Sequence, residues 1–540
     1  MTIFNDLCIF KIYGTFIMNK KKFPFILLLI LTEISFGQGR FSGDLMLNSN
    51  FYKKDTSIGA TTTQYLRELY STDAWLRLNY SINDFDFSLR YDLFQHSALF
   101  NPKAAYTGQG FGFWSIRKKI NKLQITGGYF YEQFGSGSVF RAYENRGLGI
   151  DNALQGIHLK YELTEKLSMK AFTGQQKTKF SLRESVISGG NIEKFTMINE
   201  TFDLLTGGAY IDRTMDDNSF NMLISNIESM PDTNDRFIPK KHAGFYTFYN
   251  TLRFKDISWY AEYSGKSKEA ILDLTNKLVN KDGNMRYTSL TYAREGFALD
   301  FQYKRTENFI FRTSPDQLLL DGVINFLPPM NRTNSYRLLS RYNPGTRPLS
   351  ENAYQVNLAT MPIKGMGLNF NFTDIYDLNK NHLFREIQPE IEIKNSSQRV
   401  IFGVQLLQYS QEVYEGAGKE PWIRANSPFI EYIYRITKKH SIRSEFQYMM
   451  TKEDYKDWVY GLLEYNISPK YSLFASDMYN NSDKNKNKTH YYNLGGSLTL
   501  NATKFYLAYV RQVQGIVCTG GICRLEPAFN GLKFSLVSSF

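Results

Sequence analysis

The residue types best able to do chemistry crowd into one stretch, FYEQFGSGSVFRAYENRGLGIDNALQG, from Phe130 to Gly156. Glu132, Glu144 and Asp151 supply carboxylates, Arg141 and Arg146 supply guanidinium groups, and Gly135-Ser136-Gly137 supplies a pliant turn. Such a set suits three uses: a phosphate-binding loop, an acid–base site, or a charged segment lodged inside a larger structure. The phosphate loop fails on spacing. A dinucleotide fingerprint needs a third glycine three residues after the second, inside a β-α-β unit, and Phe140 stands in that place. The catalytic reading is weak: the carboxylates could act as acids or bases, but no His or Cys lies among them, and neither Ser136 nor Ser138 sits in a G-x-S-x-G elbow. An inward plug or constriction, with an ordered outer loop as the alternative, fits the mixed charges best. Buried charge must then find partners on the surrounding wall.

Chemistry elsewhere is sparse. The histidines, His96, His158, His242, His382, His440 and His490, show no metal-ligand spacing. No cofactor is expected, and no enzyme, although dispersed hydrolase residues would leave no local motif. Cys518 and Cys523 sit in CTGGIC and are expected to form a disulfide in an exported protein. Cys8 falls in the leader described below.

The elements that must position these residues read as strands of period two. Phe85, Phe87, Leu89, Tyr91 and Leu93 alternate with Asp84, Asp86, Ser88, Arg90 and Asp92. Ile391 and Ile393 alternate with Glu390, Glu392 and Lys394, and Ile442 and Phe446 with Arg443 and Glu445. One face is aromatic-rich, and the other carries full charges of both signs. Short connections near Asn83, His440, Pro469 and Asn501 alternate with long ones, among them Lys177–Asn199, Gln411–Ser427 and Asn480–Thr489. Tight turns at one end and long loops at the other mark an outer-membrane β-barrel, and a bilayer demands that such a sheet close on itself. The expected fold is all-β, a single large antiparallel transmembrane barrel. The count is about 26 strands if Phe309 to Tyr342 holds two wall strands, or about 24 if it is one large outer loop. The charged face would line the lumen with Arg77, Arg90, Asp92, Glu390, Glu392, Glu431, Arg435, Arg443 and Glu445. These are the expected partners of the stretch at 135–155, and a hydrated lumen is expected around them.

The chain of 540 residues carries a formal charge of +12, and 16% of its residues are aromatic. Its Lys and Arg are spread rather than clustered, which argues against a nucleic-acid partner. Lys20, Lys21 and Lys22, the apolar run FPFILLLIL, and small residues up to Gly37 compose a secretory signal, cut between Gly37 and Gln38. Residues 1–37 are thus the signal region, with Met18 as the better start and 1–17 as untranslated sequence, and 38–540 are the barrel. Strands begin soon after the cut, so an N-terminal plug domain of the TonB-dependent kind is not expected. The expected partners are outer-membrane lipid and lipopolysaccharide, the insertion machinery and an unidentified protein.

The last strand, GLKFSLVSSF, alternates and ends on Phe540, which looks like the signal read by the outer-membrane insertion machinery. Together, GGYFYEQFGSGSVFRAYENRGLGIDNALQG and GIVCTGGICRLEPAFNGLKFSLVSSF resemble an uncharacterised outer-membrane barrel family of Bacteroidota, a domain of unknown function. The resemblance covers the mature chain. It implies a barrel in the outer membrane of a Gram-negative bacterium and implies no reaction. The leading expectation is a porin-like channel or transport barrel with a lumen constriction. The alternatives are a non-conducting scaffold for a surface secretion, motility or adhesion complex, and an outer-membrane hydrolase.

Overall fold

The computed structural model describes residues 39–317, 320–416, 422–482, 488–519 and 522–540. The expected leader and the expected cleavage point between Gly37 and Gln38 lie outside them. The described chain is dominated by one 24-stranded sheet in which every neighbouring pair is antiparallel. The sheet closes because the first strand, Arg40–Tyr52, pairs with the last, Phe529–Ser539, from Asp44 opposite Ser539 to Tyr52 opposite Gly531. No helix among the described residues is long and apolar enough to cross a membrane.

Period two decides the two faces. On the strand Phe85–Ser97, Phe87 and Leu89 are each 38% exposed on the outer face, while Arg90 and Asp92 are each 1% exposed on the inner one. The same split recurs around the wall, with Ile157, Phe248, Phe402, Phe446 and Leu473 all exposed outside. A soluble protein would not leave such a belt bare; lipid is its natural solvent.

At one end the strands are joined by turns of two to four residues, for example 83–84, 121–122, 200–201 and 468–470. The other end carries the long connections, including the helix Asp217–Glu228, whose N-cap Asp216 accepts from Ser219 N. Two expectations change here. Lys177–Asn199 is wall rather than loop: the strand Ser181–Asn199 pairs with both its neighbours, and its turn is only residues 179–180. Phe309–Tyr342 is neither wall nor outer loop. It contributes no strand to the barrel, so the wall has 24 strands, the lower of the two counts.

Cys518 and Cys523 face each other in register on the hairpin Gly515–Thr519 and Ile522–Glu526. Their side chains, with Gly520 and Gly521 between them, lie outside the described residues.

Candidate functional site: an obstructed lumen

Two segments leave the wall and fold inward from the loop end. The first departs after the strand Leu123–Phe130 and returns at Leu154–Thr164, where Phe130 pairs with Leu154. The second leaves after Phe297–Glu307 and returns at Ser350–Ile363, where Glu307 pairs with Ser350. Each therefore exits and re-enters at adjacent points, and the wall continues beneath it.

The first segment consists of two small hairpins. Glu132–Phe134 pairs with Phe140–Ala142, and Glu144–Asn145 pairs with Ile150–Asp151 around the turn Arg146–Leu148. The Gly135-Ser136-Gly137 motif has a packing role. Gly135 and Gly137 adopt φ of +55° and +97°, and a Cβ on Gly135 would come within 2.8 Å of the Glu262 carboxylate. Ser138 Oγ lies 2.7 Å from both Glu262 and Ser264, in a buried hydroxyl–carboxylate cluster on the wall.

The charges of this segment meet wall charges. Arg90 binds Asp92 through two contacts of 2.6 and 2.8 Å, Glu144 at 2.8 Å and Asp151 at 2.5 Å. Arg77 reaches Glu144 at 2.6 Å, and Arg146 reaches Glu144 at 2.7 Å and Asp44 at 3.0 Å. Lys177 binds Asp151, and Tyr131 donates to the same carboxylate at 2.9 Å. Four cations thus face four carboxylates, the balance that buried charge requires. Burial alone would raise the Glu144 carboxyl, but Arg90, Arg146 and Arg77 outweigh it and hold it below the ordinary carboxylate range. Asp151 is likewise held low, with Lys177 and Arg90 overcoming its burial.

Glu132 lies apart from this network, 3.0 Å from both His158 and Lys170. Arg141 has no carboxylate partner among the described residues. Its guanidinium sits in a corner made by Tyr143 and Phe326, 4.3 and 4.1 Å from the ring centres. The remaining wall residues serve the second segment or one another. Arg332 of that segment binds Glu390 at 2.9 Å. Arg399 and Lys394 hold Glu392, and Arg443 joins Glu431 to Glu445. Arg435 donates to the Ser396 carbonyl at the turn-end rim, 3.1 Å away.

The lumen around the segments is drier than a charged wall suggests. Phe134, Phe140, Phe309, Phe311 and Ile324 of the two segments pack on the inward-facing Phe172, Ile187, Ile211 and Phe245. Farther round, Met330, Leu338 and Tyr342 pack on Phe384, Tyr409 and Trp458. The segments also bind each other: Arg141 N donates to Ile324 O and Phe326 N to Gly137 O, both at 2.9 Å. Charges near the turn end are wetter, with 28% of the Arg443 side chain exposed against 1% for Arg90. The second segment nevertheless reaches toward the turn end, where Tyr336 and Leu339 pack on Ile401 and Phe429.

Sequence reading missed Asp44, Lys177 and the whole second segment. That segment did carry a signal: Pro315, Pro328, Pro329, Pro344 and Pro348 are five of the 15 prolines in the chain. Proline has no donor for a wall ladder.

Among solved structures the chain is similar to the siderophore receptor PirA from Pseudomonas aeruginosa, with 8% identity and a TM-score of 0.41 over 93% of this chain and 80% of that one. It is also similar to the P pilus usher PapC translocation pore (9%, TM-score 0.38, 92% and 99%) and to OccAB3 from Acinetobacter baumannii (9%, 0.35, 93% and 99%). No curated protein matches. The model of a family of unknown function, DUF6029, matches residues 18–540, and the chain belongs to that family.

Proposed function

We propose that this chain is an integral outer-membrane barrel that transports a solute through a passage normally shut by its two inward segments, so that it is a gated porin-like barrel rather than an open sieve. The observation that carries this reading is the bonding of the segments to each other, Arg141 N to Ile324 O and Phe326 N to Gly137 O. Together they span from the wall near Arg90 to the wall near Trp458, with apolar packing on both sides. A barrel of this strand number has an interior far wider than wall side chains can fill, so two segments are spent on closing it.

The test is planar-bilayer conductance of the full chain beside a variant lacking both segments. Two-residue turns join Phe130 to Leu154 and Glu307 to Ser350, since each pair is already in register. The full chain is expected to be silent or to flicker, and the variant to give large ohmic steps. Steady, large steps from the full chain would defeat the plugged reading.

The dry packing also favours a second reading, a non-conducting barrel that scaffolds a surface complex. It predicts a stoichiometric protein partner after mild detergent extraction, and silence under every condition that leaves the segments in place.

A further inference from the structure

The wall is not hydrogen-bonded all the way round. The strand Tyr106–Ile120 pairs with Phe85–Ser97 from Tyr106 opposite Ser97 to Lys118 opposite Phe85. On its other side it pairs with Leu123–Phe130 over Ser115–Ile120 alone. Residues 106–114 therefore present a backbone edge with no partner strand among the described residues. The cause is the departure of the first inward segment, which takes the chain out of the wall at Tyr131. The divergence starts at Gly128, whose φ is +99° and where a Cβ would lie 2.6 Å from the Trp114 carbonyl oxygen. Lipid cannot satisfy an open edge of this kind.

Side chains close the seam instead. The turn at 179–180 leans across it and lays Phe180 against Gly108 and Gly110, where added Cβ atoms would stand 3.2 and 3.5 Å from the ring. Lys179 caps the contact, 4.1 Å from the centre of Tyr106. Inside, Phe180 meets Phe94 at 5.9 Å, and Phe94 meets Trp75 edge-on at 5.7 Å. An aromatic column thus runs from the seam to the ionic network, where Arg146 lies 5.7 Å from the Trp75 ring. Outside, Phe111 is 62% exposed and packs on Tyr91. On its outer face the seam exposes Phe111 and Trp114, with Thr107 and Gln109 nearer the rim; within, it is lined by the aromatic column, and its contacts part without breaking a ladder.

Resting on the outer-membrane reading above, we propose that this seam is a lateral gate for membrane lipid. The acyl chain of an outer-leaflet amphiphile enters between residues 106–114 and Phe180 and lies along Phe94 and Trp75, while its headgroup stays at the rim beside Lys179.

The test uses the full chain in vesicles containing phospholipid brominated on its acyl chains, which quenches tryptophan on contact. One form keeps Trp75 alone of the five tryptophans and another keeps Trp259 alone, which faces outward and is 47% exposed. Both carry Gly110→Cys and Phe180→Cys, with Cys518 and Cys523 replaced by Ser, and are measured before and after a short bifunctional thiol reagent bridges the seam. Trp259 should be quenched throughout. Trp75 should be quenched at least twofold more in the open form than in the bridged one. Should bridging fail, Phe180→Ala alone should raise Trp75 quenching above that of the otherwise unchanged chain. Unquenched Trp75 in every form, with Trp259 quenched, would overturn the gate and leave the transport reading untouched. Unquenched Trp259 would overturn the bilayer reading and the gate with it.

Discussion

Arg77 and Arg90 stand directly opposite each other on adjacent wall strands, and one carboxylate of the inward segment, Glu144, binds both. Like charges paired across strands destabilise a sheet. The wall alone would carry that repulsion, and the segment removes it. The inward fold is therefore complementary to the barrel at the level of charge, and its departure would expose two guanidinium groups to each other and to water.

The first prediction follows from this bridge. Glu144→Gln should weaken the hold of the segment by about 1–3 kcal/mol, because Arg77 then has no carboxylate partner among the described residues, while Arg90 keeps Asp92 and Asp151 and Arg146 keeps Asp44. Channel recordings should show frequent openings, and protease should cut within 131–153. Adding Arg77→Gln should restore part of the closed time, since the pair then no longer repels. Equal behaviour of the single and double variants would show that the bridge is not what holds the segment.

The second concerns acid. Glu144, Asp151 and Glu132 are all held below the ordinary carboxylate range against the pull of burial, Glu132 by its bond to His158 and by Lys170. A depressed folded value means the stabilisation is present above the unfolded pKa, about 4, and is lost as pH falls through the folded one. The barrel should stay closed from neutral pH down to about 5 and open increasingly below about 4. Recordings on Glu144→Gln/Asp151→Asn should show openings already at neutral pH and a much smaller acid step.

The wall was legible in the sequence because its rule is written residue by residue. Arg90 and Asp92 alternate with Leu89 and Tyr91, and each side chain points as that alternation requires. Ser181–Asn199 was harder: Gly189 and Gly190 and a scatter of charges blur its period, and only its ladder partners make it a strand. The inward segments obey no period at all. Their partners were illegible for a geometric reason, since Arg146 meets Asp44 across 102 positions of sequence. That contact depends on where a 24-strand circumference brings the two, which no local pattern encodes.

The third prediction separates dry packing from charge. Phe140 is 1% exposed, and its ring lies 4.4 Å from that of Phe172 on the wall. Phe140→Ala should cost about 3–5 kcal/mol locally. The wall ladders do not include Phe140, so the folded, heat-modifiable gel band should persist while conductance rises. Loss of the folded band would mean that the segment is required to form the barrel, not only to fill it.

The last prediction concerns Phe540. Its backbone exchanges hydrogen bonds with Gly43 at 2.8 and 3.0 Å, and its ring covers Gly43 so closely that a Cβ there would come within 2.6 Å. Phe540 is thus a clasp between the last and first strands, besides being the expected insertion signal. The two roles separate by where assembly occurs. The ring is 52% exposed, so trimming it removes little buried surface. The backbone bonds to Gly43 survive the change. Phe540→Ala should therefore refold into detergent micelles almost as well as the unaltered chain. In cells, if Phe540 serves as the expected insertion signal, the amount reaching the outer membrane should fall severalfold. An equal loss in both settings would assign the residue to closure of the barrel, and no loss in either would remove both roles.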